Sequence, residues 1–126
     1  MASPLLIFSD SNALIGNIQY VFKDILECVS SDSLEWIEQY LTCHDIKLLI
    51  ADMDMELNAA ARNEVLEGLK EYRNGQTSFL FLVSEKRKLE IERDYEDLSD
   101  MVVSADWLIK PFSRDNLVFT VGKLCG

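Results

Sequence analysis

Several residue types are scarce in this sequence, and each shortage removes a class of site. Among 126 residues there is one histidine, His44, and there are three widely spaced cysteines, Cys28, Cys43 and Cys125, with no CxxC pair. This pattern offers neither the ligand spacing of a zinc site nor the even cysteine count of a disulfide framework. We therefore expect His44 to be a partly exposed loop residue, and the cysteines to be reduced, mostly buried thiols of a cytoplasmic protein.

Basic residues and long apolar runs are scarce as well. Twelve Lys and Arg stand against twenty-two Asp and Glu, which gives a formal charge of −10. Such a chain is unsuited to direct nucleic-acid binding, because that affinity depends on Lys and Arg displacing counterions from phosphates. The longest apolar runs are about five residues, too short to cross a bilayer, and the N-terminus lacks the basic segment of a signal peptide.

The sequence does contain short runs rich in Leu, Ile, Val and Phe, which alternate with longer amphipathic segments. The runs occupy residues 4–8, 26–29, 46–51, 79–83 and 106–109. Three of them are almost continuously apolar, which is typical of strands covered on both faces.

The segments between the runs carry apolar residues at helical spacing, which predicts five helices. Their apolar stripes run from Leu14 to Ile25, from Leu34 to Leu41, from Val65 to Tyr72, from Ile91 to Val102 and from Leu117 to Leu124. Asp32 and Glu35 form a capping-box pattern before the second helix, and Ser113 is suited to cap the last one. Five strands alternating with five helices predict one α/β domain over residues 1–126, a doubly wound parallel sheet.

Polar side chains directly follow four of the predicted strands. They are Ser9 and Asp10, Asp52 and Asp54, Ser84, and Lys110. The carboxyl ends of parallel strands lie along one edge of a sheet, and ligands bind there at the point where the strand order reverses. With the strand order 2-1-3-4-5, Asp10 and Asp52 face each other, and Ser84 and Lys110 close the far side.

Neighbouring carboxylates at this edge favour a hard cation. At a separation of about 5 Å they repel by roughly 3 kcal/mol at an effective dielectric near 20. Mg2+ removes this cost and suits carboxylates together with phosphate oxygens. Because a carboxylate is also a nucleophile toward phosphorus, the residues alone leave three interpretations: a phosphatase with Asp52 as nucleophile and Asp54 as acid, an aspartate phosphorylated as a signal, or a solvated turn.

The ordered set of residues at the strand ends resembles the receiver domain of two-component response regulators over almost the whole chain. The segment SADWLIKPF, residues 104–112, is similar to that family's Gly-Ala-Asp-aromatic-Leu-x-Lys-Pro-Phe. The resemblance implies a flavodoxin-like sheet, and phosphorylation of Asp52 by a sensor histidine kinase or a histidine phosphotransfer protein. It also implies a change in the surface formed by the fourth helix, fifth strand and fifth helix, through which a homodimer is expected.

The resemblance also implies a role for each residue of the set. Asp52 is the phosphoacceptor, Mg2+ is held by Asp10, Asp52 and the backbone carbonyl of Asp54, the phosphoryl group is bound by Ser84 and Lys110, and the switch aromatic is Trp107.

The sequence departs from the family pattern at two positions of the site. Ser9 stands where an acidic residue is usual, which is expected to weaken Mg2+ binding, and Glu56 stands where proline is common. These departures keep open a receiver-like binding module that is not phosphorylated. A haloacid dehalogenase-type phosphatase is a further alternative, because residues 52–54 match its D-x-D pair, but only Asp115 is acidic after the lysine. The chain fits either a stand-alone regulator or a receiver excised from a longer one.

Overall fold

A computed structural model describes residues 4–55, 77–94 and 106–125, and the strands in these ranges form one parallel sheet. The strands are β1 Leu5–Phe8, β2 Cys28–Ser31, β3 Leu48–Asp52, β4 Ser78–Ser84 and β5 Asp106–Lys110. Their order in the sheet is β2-β1-β3-β4-β5, and every neighbouring pair is parallel. The predicted α/β class and strand order are therefore confirmed, and the strand order reverses between β1 and β3.

Four helices connect or follow these strands within the described ranges. They are α1 Asn12–Phe22, α2 Leu34–Cys43, α3 Glu85–Asp94 and α4 Arg114–Cys125. They correspond to the first, second, fourth and fifth helices predicted from the sequence. The third predicted helix, with its stripe from Val65 to Tyr72, lies outside the described residues, as do Glu56 and Val102.

A serine caps the start of each of these four helices. The capping residues are Ser11, Ser33, Ser84 and Ser113, and each hydroxyl accepts the backbone N–H of the residue three positions later. This contact satisfies one of the N–H groups that have no partner inside the first helical turn. The cap predicted at Ser113 is present, whereas α2 is capped by Ser33 rather than by the predicted Asp32.

The apolar side chains of the sheet divide between two cores, one on each face. Successive residues of β1 alternate between them, so that Leu6 and Phe8 join one core while Leu5 and Ile7 join the other. Helices α2 and α3 cover the first face, and helices α1 and α4 cover the second. Burial on both faces explains why β1, β3 and β4 are almost continuously apolar in sequence.

The structure differs from the sequence prediction at the edges of elements. Helix α1 ends at Phe22, whose carbonyl accepts the N–H groups of the next turn, and Ile25 is 70% exposed instead of joining the apolar stripe. Cys43 is exposed and the other two cysteines are half-buried, so the expectation of mostly buried thiols is wrong. His44 is exposed at the end of α2, as predicted. No helix in the described ranges is long and apolar enough to cross a membrane.

Candidate phosphoryl-transfer site

The polar residues predicted at the strand ends do meet at one edge of the sheet. Asp52 is the last residue of β3, and Ser84 and Lys110 are the last residues of β4 and β5, where they lie side by side in register. Ser9 follows the last residue of β1 and Asp54 lies two residues beyond the end of β3. The parallel sheet therefore brings together groups that are far apart in sequence.

Asp52 is a buried carboxylate whose two oxygens are both hydrogen-bonded. Its side chain is 3% exposed. The Ser9 hydroxyl donates to Oδ2 at 2.7 Å, while the Lys110 ammonium and the Asp54 backbone N–H donate to Oδ1 at 2.8 and 3.0 Å. These donors stabilise a charge that would otherwise be costly to bury.

Asp54 has a larger part in this network than the sequence indicated. Its carboxylate accepts two hydrogen bonds from Ser84, one from the backbone N–H at 2.8 Å and one from the hydroxyl at 2.9 Å. It also lies 3.1 Å from the Lys110 ammonium. The receiver resemblance assigned the backbone carbonyl of Asp54 to the metal ion, and in the structure its side chain also joins the ends of β4 and β5.

Lys110 balances part of the negative charge of the site, because it bridges Asp52 and Asp54. Burial by itself lowers the pKa of Lys110, but the hydrogen bonds and charges of the two carboxylates outweigh it, so the pKa is raised above its ordinary value. Two carboxylates against one ammonium leave about one unit of negative charge at neutral pH, with Lys110 firmly protonated. The peptide bond between Lys110 and Pro111 is cis.

The two sides of Asp52 are chemically different. On the β1 side the residue that reaches Asp52 is Ser9, which is 1% exposed, while the predicted metal ligand Asp10 is exposed. On the β4 and β5 side lie the charged groups Lys110 and Asp54. Among the described residues, Asp52 thus has the Lys110 ammonium as a cationic partner.

Trp107, the predicted switch aromatic, lies on β5 three residues before Lys110. Its ring is half-buried and packs against Phe81, with 4.9 Å between ring centroids. The Lys88 ammonium of α3 lies 5.7 Å from the centre of the same ring. Trp107 thus contacts both the sheet and the helix that begins after Ser84, which suits it to report a movement of that helix.

Arg87 is a residue of the site that the sequence prediction missed. Its guanidinium donates to the backbone carbonyls of Met53 and Met55, at 3.2 and 3.3 Å, and pairs with Glu90 at 3.1 Å. The two carbonyls flank Asp54, so Arg87 attaches the first turn of α3 to the loop that carries this carboxylate. Its sequence neighbours are mostly charged, which predicted a solvated helix surface and gave no signal for this contact.

Known proteins are similar to this chain in fold rather than in sequence. No protein-family model matches the chain, and no curated protein matches it in sequence. Solved structures do match: chemotaxis protein CheY4 of Vibrio cholerae has a TM-score of 0.73 and 16% identity, with 98% of this chain and 99% of that chain covered. The fold is that of a response-regulator receiver domain.

Two further structures agree with this receiver fold. The N-terminal signal receiver domain of a two-component response regulator from Bacteroides fragilis has a TM-score of 0.75 and 15% identity, and 100% of this chain and 98% of that chain are covered. A response regulator from Thermotoga maritima has a TM-score of 0.74 and 17% identity, with coverage of 99% and 98%. At identities this low the structural similarity establishes the fold alone, so any statement about chemistry depends on the residues of this chain.

The groups predicted to hold Mg2+ lie within the described residues. Within residues 4–55, 77–94 and 106–125, no three acidic, histidine or cysteine side chains are grouped as metal ligands. Oxygen donors of the type that Mg2+ prefers are present in Asp10, Asp52 and the backbone of Asp54. Their chemistry fits the ion, but one carboxylate is exposed and the other already accepts three hydrogen bonds, an arrangement that favours weak binding.

Proposed function

We propose that this chain is a phosphoacceptor receiver domain that is phosphorylated on Asp52. The observation that carries the proposal is the position of Asp52: a buried carboxylate at the end of a central strand of a receiver fold, ion-paired at 2.8 Å with a lysine from the end of β5. The phosphoryl donor is a phosphohistidine of a sensor kinase or of a phosphotransfer protein. The domain acts as a signalling element, with self-catalysed phosphotransfer and autodephosphorylation as its only chemistry.

The phosphoryl transfer is a substitution at phosphorus. A carboxylate oxygen of Asp52 attacks, the new O–P bond forms, and the P–N bond of the phosphohistidine breaks, so that the imidazole leaves with the electron pair. Ser84 and Lys110 bind oxygens of the transferred group and offset its charge. Water later attacks the acyl phosphate, which restores the carboxylate and releases inorganic phosphate.

We include Mg2+ in the proposal, held by Asp10, Asp52 and the backbone carbonyl of Asp54. When bound, the ion supplies charge neutralisation for the phosphoryl group. The chain itself supplies the positioning, because Ser9 and Lys110 fix the two oxygens of Asp52. Since Ser9 adds no charge to this site, we expect Mg2+ affinity to be lower than two adjacent acidic residues would give.

The output surface of the proposed switch is formed by α3, β5 and α4. Exposed apolar side chains on these elements support this assignment: Leu89 is 62% exposed, Ile109 37% and Phe119 73%. A phosphoryl group adds up to two negative charges and three acceptor oxygens, which can displace the start of α3. A homodimer through this surface is part of the proposal.

The decisive experiment treats the chain with Mg2+ and phosphoramidate, a small phosphoryl donor, and follows intact mass. We expect one added phosphoryl group, lost in Asp52→Asn and retained in Asp106→Asn, a control that makes the same chemical change at the start of β5. In a Trp36→Phe background, beryllofluoride with Mg2+ should change the fluorescence of Trp107. An unmodified chain with no fluorescence response contradicts the proposal and favours the receiver-like binding module that is not phosphorylated.

The phosphatase alternative receives less support from the geometry. It required the Asp54 carboxyl to be a proton donor, but this group accepts hydrogen bonds from Ser84 and contacts the Lys110 ammonium. In each of these contacts the Asp54 side chain is the hydrogen-bond acceptor and not the donor.

A further inference from the structure

Ser84 and Lys110, which would bind the phosphoryl oxygens, already contact a carboxylate of this chain, that of Asp54. The Ser84 hydroxyl lies 2.9 Å from Asp54 Oδ1, and the Ser84 backbone N–H lies 2.8 Å from Oδ2. The Lys110 ammonium contacts the same carboxylate at 3.1 Å. The Asp54 carboxylate thus makes the contacts that a phosphoryl group on Asp52 would need.

These contacts cannot all be shared. A serine hydroxyl donates a single hydrogen bond, so Ser84 can serve either Asp54 or a phosphoryl oxygen at one time. Lys110 has three donors and can contact both anions, but a doubly charged phosphoryl group beside Asp54 would be repelled by it. Formation of the acyl phosphate therefore has to displace the Asp54 side chain from Ser84.

We propose that the Asp54 carboxylate is an intramolecular competitor for Ser84 and Lys110, which holds the site in its resting state until a phosphoryl group on Asp52 displaces it. This inference rests on the proposed phosphorylation of Asp52 and concerns how the same site is regulated. The exposed fractions agree with it, because the Asp54 and Lys110 side chains are 24% and 26% exposed and can move more readily than Asp52 at 3%.

The displacement of Asp54 is connected to α3 by two contacts. Ser84 is the cap of α3, since its hydroxyl accepts the backbone N–H of Arg87 at 3.2 Å. The Arg87 guanidinium holds the carbonyls on both sides of Asp54, at 3.2 and 3.3 Å. When Asp54 leaves Ser84, both the cap and the guanidinium contacts of the first turn of α3 are altered. A local competition between two anions can in this way reach the proposed output surface.

The test compares the rate of phosphorylation by phosphoramidate in the whole chain and in three variants. Asp54→Ala removes the competitor, and we expect phosphorylation to be about tenfold faster. The resting state then lacks one charge-assisted hydrogen bond that has to be broken before the phosphoryl group can be bound, and a bond of this kind has about the strength that a tenfold change in rate requires. Asp54→Asn keeps an acceptor for the Ser84 N–H but loses the charge that binds Lys110, so an intermediate rate is expected. Glu85→Gln is the matched control, because it removes one carboxylate from the residue next to Ser84 and should leave the rate within about twofold.

A second measurement reads the contact itself, without phosphorylation. The amide resonance of Ser84 should shift upfield in Asp54→Ala, because its N–H loses a charged acceptor, and should stay in place in Glu85→Gln. A Ser84 amide resonance that moves equally in the two variants would contradict this contact.

The outcomes separate this inference from the proposed function. If the unaltered chain is phosphorylated on Asp52 but Asp54→Ala is no faster than Glu85→Gln, the competitor role is wrong and the receiver function stands. If Asp54→Ala is slower than the unaltered chain, Asp54 assists the reaction and the inference is overturned. If no form of the chain is phosphorylated, the proposed function fails and the inference falls with it.

Discussion

Two turns of this molecule have the same local sequence and different roles. Residues 9–11 and 31–33 both read Ser-Asp-Ser, and each links a strand to a helix. Ser9 comes directly after β1, and Ser31 is the last residue of β2. In both turns the first serine hydroxyl accepts the N–H of the third residue at 3.0 Å. In both, the third residue, Ser11 or Ser33, caps the helix that follows. Their local hydrogen bonds are therefore the same.

The surroundings of the two turns differ because their strands occupy different places in the sheet. Strand β1 lies between β2 and β3, so the Ser9 hydroxyl meets Asp52 and is buried. Strand β2 is at the edge, and Ser31 is only half-buried beside β1. A serine at the end of a strand therefore becomes part of the site only where the neighbouring strand brings Asp52 next to it.

Two lysine–aspartate pairs show the same contrast between the site and the periphery. Lys110 and Asp52 are 2.8 Å apart with side chains 26% and 3% exposed, whereas Lys123 and Asp106 are 3.0 Å apart with side chains 55% and 33% exposed. Their distances are almost equal. If the two pairs contribute differently to the free energy of unfolding, the difference has to come from burial. Stability measurements can test this directly.

The largest effect is expected from Lys110→Met. This change leaves the Asp52 carboxylate buried without its ammonium partner, which should lower the free energy of unfolding by about 2–3 kcal/mol. This value lies at or below the lower limit for fully buried pairs, because Lys110 is 26% exposed. Urea denaturation in the absence of Mg2+ measures the effect.

The matched control is Lys123→Met, which breaks the exposed pair and should cost less than about 1 kcal/mol. In the double variant with Asp52→Asn, most of the loss caused by Lys110→Met should be recovered, since no unpaired buried charge remains. Equal losses in the two lysine variants would show that burial does not distinguish the pairs.

A smaller effect is expected from Ser9→Ala. It removes the donor to Asp52 Oδ2 and should lower the free energy of unfolding by about 2 kcal/mol, within the range for hydrogen bonds to charged groups. Ser31→Ala makes the same chemical change in the other turn and should cost about 0.5 kcal/mol or less, as for surface substitutions. A loss from Ser31→Ala as large as that from Ser9→Ala would mean that the local turn, and not Asp52, makes Ser9 important.

The smallest expected effect is the change with pH in the contribution of Lys110 to the free energy of unfolding. The pKa of Lys110 is raised in the folded chain, so its pairing stabilises the fold fully below the ordinary lysine pKa of about 10.4 and is lost as pH rises through the higher folded value. The difference in unfolding free energy between the unaltered chain and Lys110→Met should therefore be constant from neutral pH to about pH 9.5 and shrink above about pH 10.4. A difference that grows with pH in this window would contradict the assigned pairing.

Much of the fold was predictable because it depends on patterns within short segments. Continuous apolar runs indicated β1, β3 and β4, since strands covered on both faces need them. The boundaries of β2 and α1 were predicted less accurately. Strand β2 begins two residues later than predicted, and Ile25 lies beyond the end of α1. These elements border the surface, where an apolar residue can be exposed at little cost and so gives a weak signal.

Most residues of the candidate site were predictable, but Arg87 and the pairings between the residues were not. Residues 9, 52, 84 and 110 could be placed at one edge of the sheet, because polar groups after parallel strands must lie there. The sequence predicted that Asp10 faces Asp52 and that Ser84 binds a phosphoryl group on Asp52. It did not predict the hydrogen bonds that the structure contains, from the Ser9 hydroxyl to Asp52 and from the Ser84 hydroxyl to Asp54.

The sequence by itself determined the class of the fold, the cap at Ser113 and the set of polar groups at the strand ends, because each depends on patterns within short segments. Only the tertiary structure decided which donor meets which carboxylate. Ser9 and Asp52 are separated by 43 residues, and Lys110 and Asp52 by 58. Such contacts depend on strand order and register, and on the length and direction of each side chain. The same Ser-Asp-Ser turn therefore supports Asp52 from β1, while at β2 its serine hydroxyls accept the backbone N–H groups that begin a helix.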